Sequence, residues 1–327
     1  MPKFSIVITT YNRLSLLQQA IESALAQTYP CEVVVADDGS TDGTEAYIRS
    51  LGDRVVYHRN SVNSGHCATM NAGVAAAQGN WIKPLDDDDY LAPNCIEEMV
   101  RAISQYPQSV LCSCQAIQVD QNGIEVSCTQ AVGRVPVFYV PQEDIHYGML
   151  LEQLPFGTPV QVAFAKEAFL KSGGWDSAFE INYDDIDSWV KIAQYGDAIF
   201  VNQALAYRTL WPAASHLKFS LQQRLEKNIS IKNRIYPLVH EKHKKKLPPL
   251  KDIHAFINLY WSLIGFKQRQ LGAAWEMLFP AIFYLSAWQM LARVISSRKV
   301  NINEQSPSLE KMGKLNRTGF EKSFVLD

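Results

Sequence analysis

Four consecutive aspartates, Asp86 to Asp89, directly follow the apolar segment WIKPL (81–85). Each carboxyl has an ordinary pKa of about 3.9, so at neutral pH such a cluster repels itself unless a cation or a proton intervenes. The run is therefore either spread out in water or holding something positive. Closely spaced carboxylates after a strand suit a hard, oxygen-preferring ion such as Mg²⁺ or Mn²⁺, which keeps positions for substrate phosphate. On that reading Asp88 binds metal and Asp86 faces a sugar or ribose hydroxyl. Asp87 and Asp89 then orient their neighbours or lie exposed. The plainer reading is a solvated acidic loop.

Two further acidic stretches stand out. In ADDGSTDGT (36–44) a polar turn with Ser40, Thr41 or Asp42 capping the next helix accounts for the glycines and hydroxyls. It does not account for two aspartates before the Gly, where a carboxylate can accept the imino N–H of a uracil-like base. YDDIDSW (183–189) reads as acidic residues at a helix start, where the macrodipole favours them. A carboxylate there also serves as a general base when a substrate hydroxyl comes within hydrogen-bond reach. Gly173, Gly174, Trp175 and Trp189 nearby would suit a shelf for an acceptor sugar. His66 is a helix N-terminal residue or part of the site, and His216 an exposed helix residue or a ligand for metal or phosphate. The chain has neither GxxxxGK[ST] nor GxSxG.

The elements that must position these residues are legible as patterns. FSIVIT (4–9), CEVVVA (31–36) and DRVVYHR (53–59) are compact β-branched runs, and WIKPL makes a fourth. Between them, Asn12 reads as an N-cap ahead of Leu14, Leu17, Ile21 and Leu25 at helical spacing, and 66–78 reads as a helix. Alternating strands and helices predict an α/β fold with a mostly parallel central sheet flanked by helices. TTYN (9–12), DDGSTDGT (37–44) and DDDD each follow a strand candidate, so parallel strands would bring all three to one rim, where such sheets bind ligands. Further on, Asn122-Gly123 predicts a hairpin, 160–176 a strand, a short helix and a Gly-Gly stop, and 183–196 a helix ending at Gly196.

With 47% hydrophobic and 20% charged residues over 327 positions, the composition is that of a globular protein of one or two domains. A net charge of −2 supplies no basic field for nucleic acid. The first apolar stretch is too short for a secretory signal, and the six cysteines form no CxxC pair, so reduced thiols in the cytoplasm are expected.

FSIVITTYNR, QTYPCEVVVADDGSTDGT, NSGHCATMNAGVAAAQGNWIKPLDDDD, and GGWD with YDDIDSWVKIAQYG resemble, in the same order, the motifs of family 2 glycosyltransferases with the GT-A fold. The resemblance covers about residues 3–212. It implies a metal-dependent inverting transfer from a nucleotide-sugar donor, with UDP expected, to a glycan or lipid-linked acceptor. Carried onto this chain, it makes Thr9 and Tyr11 the lining of the nucleotide pocket, Asp38 a contact to the base, and Asp86 and Asp88 the DxD pair with Asp88 on the metal (Mn or Mg). Asp185 takes the position of the catalytic base. Three departures are visible: Met70 stands where the family commonly has Arg, leaving His66 to supply a donor contact; Asp184 replaces a frequent Glu; and His216 only loosely matches a His expected after Tyr207-Arg208. Asp87, Asp184 and His216 are secondary candidates. A catalytically silent nucleotide-sugar-binding module is the competing reading, and a nucleotidyltransferase is disfavoured because TTYNRLS has no Gly.

The resemblance stops before the C-terminal third. Residues 213–300 read as a helical extension and 301–327 as a disordered tail. The uncharged stretches 253–266 and 277–292, of 14 and 16 residues, fall short of the ~20 needed to span a bilayer. Two readings stand open: helices packed on the catalytic domain, or helices lying at the cytoplasmic face of a membrane between basic flanks.

Overall fold

The β-branched runs form strands, and their register carries the functional argument. The computed structural model describes residues 1–179, 183–211 and 220–292. They fall into two compact units, Met1–His146 with the described residues of 153–211, and Tyr147–Glu152 with 220–292. In chain order the first unit opens with β1 (Phe4–Thr10), α1 (Leu14–Leu25), β2 (Glu32–Asp37), α2 (Thr44–Ser50), β3 (Val56–Arg59), α3 (His66–Ala76) and β4 (Trp81–Asp86). It continues with β5 (Tyr90–Leu91), α4 (Cys95–Gln105), β6 (Ser109–Val119), β7 (Glu125–Cys128), β8 (Val137–Val140) and the first half of α5 (Gln142–Leu150), whose residues from Tyr147 on belong to the second unit. β9 (Val162–Ala165), α6 (Lys166–Lys171), α7 (Asp184–Ile192) and β10 (Asp197–Thr209) follow.

The strands make one sheet in the order β3-β2-β1-β4-β9-β6-β10-β5, with β7 on β6 and β8 on β10. β1 to β4 are parallel, as is β10 on β6, while β5, β7, β8 and β9 join antiparallel, so the sheet as a whole is mixed. β1 is buried along its whole length, and Ile6, Ile8, Val33, Val35 and Leu85 form the core with Leu17, Ile21, Ile96 and Met99. On the opposite face Gly73 lets α3 lie flat on the sheet. A Cβ there would sit 2.5 Å from Val7 Cγ1 and 3.0 Å from Ala36 Cβ. All six thiols are free, and Cys67, Cys95, Cys112 and Cys114 are buried.

One irregularity places the acidic run. β9 pairs only with Trp81 and Ile82, at the beginning of β4, so the rest of β4 has no strand on that side. Lys83 stands at this gap, with no exposed surface, and its Nζ donates to the carbonyls of Pro84 (3.2 Å), Pro159 (3.1 Å), Val160 (2.5 Å) and Val162 (3.3 Å). Burial lowers the Lys83 pKa, with nearby acidic groups opposing. Beyond the gap, β5 starts at Tyr90, right after the acidic run, yet pairs with β10 at the far end of the strand order. Three residues reach only about 10–14 Å, so the sheet must curl to let Asp87–Asp89 cross from β4 to β5.

The hairpin at Asn122-Gly123 is present, with Gly123 at φ +77° between β6 and β7. Two turn assignments differ from expectation. Asn12 does not cap α1; it adopts φ +54°, and its Oδ1 accepts the N–H of Thr41 at 2.7 Å. The first N–H of α1, from Leu14, goes instead to Asp42 Oδ2 at 3.0 Å. Gly196 does not end α7, which stops at Ile192; it begins the approach to β10, where a Cβ would meet the Gln108 carbonyl at 2.6 Å.

The second unit is helical over its described residues: α8 (Leu221–Ile235), α9 (Glu241–Lys244), α10 (Leu250–Lys267) and α11 (Leu271–Leu278). Ser220 and Gln223 close a capping box on α8. Tyr147 stacks on His243 with ring centroids 4.2 Å apart. α10 buries Ile253, Phe256, Ile257, Leu259 and Trp261, and Gly265 admits Ala274 of α11 so closely that a Cβ would lie 2.9 Å from its Cβ. Among the described residues no helix is long and apolar enough to cross a membrane.

Replacing Lys83 by Met strands buried carbonyls at the gap. Lys83→Met is expected to lower stability by about 2–4 kcal/mol, read by urea denaturation, because hydrogen bonds to a charged donor carry about 1.5–3 kcal/mol each and their orphaned partners remain buried.

Candidate active site

Parallel pairing sets Thr9 opposite Asp86 and Thr10 opposite Asp37, so β1, β2 and β4 end together and their polar loops share one rim. The loops are laced to one another. Besides Asn12 to Thr41, the Asn12 N–H donates to Ser40 Oγ at 2.9 Å, and Asp42 accepts the first N–H of both α1 and α2, from Leu14 and Thr44, while Gly43 stands at the N-cap of α2.

The two aspartates before Gly39 are both buried and serve the scaffold. Asp37 accepts the Ser40 N–H at 2.8 Å and the Tyr57 hydroxyl at 2.7 Å. Asp38 accepts from Asn60 Nδ2 (2.8 Å), Ser64 N–H (2.7 Å) and Gly65 N–H (2.9 Å), which fixes the turn leading into α3 and so the place of His66. Gly39, at φ +82°, permits this turn.

The four consecutive aspartates diverge. Asp86 Oδ1 lies 3.4 Å from Thr9 Oγ1 and 3.2 Å from His66 Nε2. Asp87 accepts from Thr10 Oγ1 (2.8 Å) and Arg13 (3.1 Å), Asp88 from the same Arg13 nitrogen (3.2 Å), and Asp89 from the Thr209 N–H (2.8 Å). Asp87 and Asp89 are buried rather than exposed and hold β1 and β10 in place. Burial raises three of the pKa values, with neighbouring carboxylates adding to it. Asp87 is pushed up to about 6 against the pull of Arg13, while Asp88 is raised by burial and Asp86, and Asp89 well above the ordinary range by burial, Asp88 and Asp86. Asp86 alone is lowered: burial opposes its charge, but His66, Arg208 and Arg13 outweigh it.

His66 joins the two acidic clusters. Nε2 faces Asp86 and also Thr9 Oγ1 at 3.2 Å, while Nδ1 lies 3.2 Å from Asp184 Oδ2. The ring meets Trp175 edge-on with centroids 5.1 Å apart. Burial opposes protonation, yet the contacts with Asp184 and Asp86 hold the His66 pKa well above its usual value. Asp185, beside Asp184 at the start of α7, is buried and accepts the Ile186 N–H at 2.7 Å. Burial, then the Asp184 charge, with a smaller push from Asp86, raises its pKa well above the carboxylate range against the Ile186 N–H and Arg208.

Of the residues singled out in the sequence, Thr9, His66, Asp86 and Asp184 are thus in direct contact, and Asp185 adjoins them. Asp87 and Asp88 gather on Arg13, Asp38 sits behind the turn that carries His66, and Tyr11 is exposed. His216 lies outside the described residues. The aromatic shelf does not exist: Trp175 and Trp189 are 3% and 1% exposed, and the Trp189 N–H is spent on the Gly157 carbonyl at 3.1 Å. Asn71 instead clamps the backbone of Trp175, donating to its carbonyl at 3.0 Å and accepting its N–H at 2.9 Å. Arg13 and Arg208, the cations that balance the carboxylates, were not anticipated.

The profile of glycosyl transferase family 2 matches residues 5–172, half of the chain. The chain belongs to this family. An uncharacterized glycosyltransferase of Rickettsia prowazekii is 30% identical over 206 residues, 62% of this chain and 63% of its own length. The succinoglycan biosynthesis protein ExoO of Rhizobium meliloti is 34% identical over 143 residues, 43% of this chain and 41% of its own. The chain therefore spans less than two thirds of either relative. In fold, this glycosyltransferase family member is similar to S. aureus TarS 1–349 in complex with UDP-GlcNAc (TM-score 0.61, 19% identity, 85% of this chain and 81% of that one). It is likewise similar to the mannosyltransferase PcManGT of Pyrobaculum calidifontis in complex with GDP-Man and Mn²⁺ (TM-score 0.55, 20% identity, 91% and 81%). The family and these likenesses make the fold GT-A.

A raised folded-state pKa means that His66 stabilises the protein while it carries its proton. That contribution is complete below the unfolded value of about 6.5 and is lost as pH rises through the folded value. The stability difference between the native chain and His66→Gln, measured by denaturant titration, is expected to be largest below pH ~6 and to shrink as the solution is made alkaline.

Proposed function

We propose that the chain is a metal-dependent inverting glycosyltransferase that moves a sugar from a nucleotide-diphosphate donor, UDP-linked, to a hydroxyl of a glycan or lipid-linked acceptor. The observation that carries this reading is the single cluster in which His66 joins the Asp86 side of the rim to the Asp184–Asp185 side. A donor held at Asp86 and an acceptor held at Asp185 would then meet across His66. Residues 1–212 form the catalytic domain and 213–300 a helical extension, and the enzyme works in the cytoplasm at the inner face of a membrane. ExoO, a relative named for succinoglycan biosynthesis, and the UDP-GlcNAc held by TarS support a polysaccharide product and a UDP donor.

Asp185 acts as the general base. The acceptor oxygen attacks the anomeric carbon as the bond from that carbon to the diphosphate oxygen breaks, and the hydroxyl proton passes to the Asp185 carboxylate. Its raised pKa makes it a stronger base than an exposed aspartate and shifts the rising limb of the pH–rate profile upward. Thr9 and Tyr11 border the nucleotide. Asp38, its oxygens taken by Asn60, Ser64 and Gly65, serves the base through the turn it fixes, and His66 offers the diphosphate a positive group where the family commonly places Arg at the position of Met70.

The residues present fit a divalent metal. Asp88 is a hard oxygen donor pushed up by burial and by Asp86, so a cation would relieve it. Among the described residues no group of three His, Cys, Asp or Glu side chains is arranged to hold a metal. An Mg²⁺- or Mn²⁺-type ion at Asp88 would take its remaining ligands from substrate phosphate and water. Asp88 would hold it, with Asp87 and Arg13 beside it. When bound, the metal neutralises charge developing on the leaving diphosphate.

Two measurements test the proposal. Thermal midpoints with UDP, GDP, dTDP and CMP, each with Mn²⁺ or EDTA, should rise for UDP with Mn²⁺ alone, and Asp88→Asn should abolish the rise. Asp185→Asn should keep that rise while losing about 10²–10⁴-fold in turnover. UDP binding with no turnover by the native chain on any acceptor would leave a silent binding module instead.

A further inference from the structure

The chain is electrically divided. Residues 1–219 carry 13 Lys and Arg against 25 Asp and Glu, whereas 220–327 carry 18 against 8. Within the described part of the second unit, 220–292 holds 11 against 4. Lys242, Lys244, Lys245 and Lys246 are all exposed.

The described part of this unit closes on a segment with an apolar surface on both sides. From α11 onward it buries Ala274, Met277, Leu278, Ala281 and Ala287, yet leaves a second set of large side chains in solvent: Trp275 is 59% exposed, Phe279 75% and Phe283 85%, with Leu271 and Leu285 exposed beside them. A segment that only packs on its own unit turns polar residues to that outer side. α10, the other apolar stretch, is packed within the unit, so the two stretches that look alike in sequence part company here.

We infer that the exposed aromatic stripe over 271–288 is a docking surface for an anionic membrane. Exposed Trp and Phe in a unit with a surplus of lysine and arginine is the chemistry of a segment that lies at the boundary of headgroups and acyl chains of an acidic bilayer, and no described helix can cross one. Charge complementarity selects this occupant over a second copy of the chain, whose corresponding unit would bring the same excess of positive charge, 11 Lys and Arg against 4 Asp and Glu over 220–292.

Flotation of the full chain with vesicles tests the surface and reads binding, not turnover, so its result is independent of the sugar-transfer reading. The chain is expected to float with phosphatidylcholine vesicles containing phosphatidylglycerol and to stay behind with phosphatidylcholine alone. The combined change Trp275→Ser, Phe279→Ser and Phe283→Ser, all at exposed positions, should lower the bound fraction at least tenfold. Each of Lys242, Lys244, Lys245 and Lys246 changed to Gln should weaken partition by up to about fivefold, an effect that salt mimics. No flotation with acidic vesicles overturns the proposal, as does flotation that the triple variant leaves unchanged. Light scattering that shows a dimer dissolved by the triple variant, without flotation, would assign the stripe to a second copy and overturn it too.

Discussion

The buried ammonium of Lys83 is the contact on which the placement of the acidic run depends. A sheet that curls must open somewhere, and this one opens where β9 stops pairing with β4. An open seam in a core leaves carbonyl groups without partners, which is costly. Lys83 supplies one charged donor to several carbonyls of the 159–162 segment, so the seam is held by a side chain where a strand is missing. Because the seam holds, Asp87 and Asp89 can cross it and anchor on Thr10 and Thr209.

What this scaffold presents is a surplus of negative charge in a confined place. Asp86 to Asp89, Asp184 and Asp185 face Arg13, Arg208 and His66, and the carboxylates nearest full burial are pushed toward protonation. Such a site is poised for cations, and Asp86, held below its ordinary range against its burial, owes this first to its contact with His66. His66 is therefore both counter-charge and spacer. It keeps Asp86 ionised and sets its distance from Asp184.

The strands were legible because FSIVIT, CEVVVA and WIKPL are unbroken apolar runs, and the rim because each ends in polar residues. That Asp86, Asp184 and Asp185 would share one site was legible only through the order of motifs, since more than 90 residues separate them. Arg13 and Arg208 escaped notice because a single cation in a loop or on a strand has no periodicity to betray it. The scaffold role of Asp38 escaped for a related reason: two of its donors are backbone N–H groups of Ser64 and Gly65, which any residue but proline supplies. Trp175, beside Gly-Gly, and Trp189, in an acidic helix, were misplaced because an aromatic in either setting reads alike on a surface and in a core. Asn12 was misread because a residue that suits a helix cap suits a left-handed turn equally well.

Trp175 has a buried indole N–H that meets no acceptor among the described residues, and its ring abuts His66, which links both halves of the site. A protonated imidazole draws an electron from an excited indole far more readily than a neutral one. The ring contact thus ties Trp175, one of seven tryptophans, to the charge on His66, so its emission is expected to respond when that ring is displaced or loses its proton.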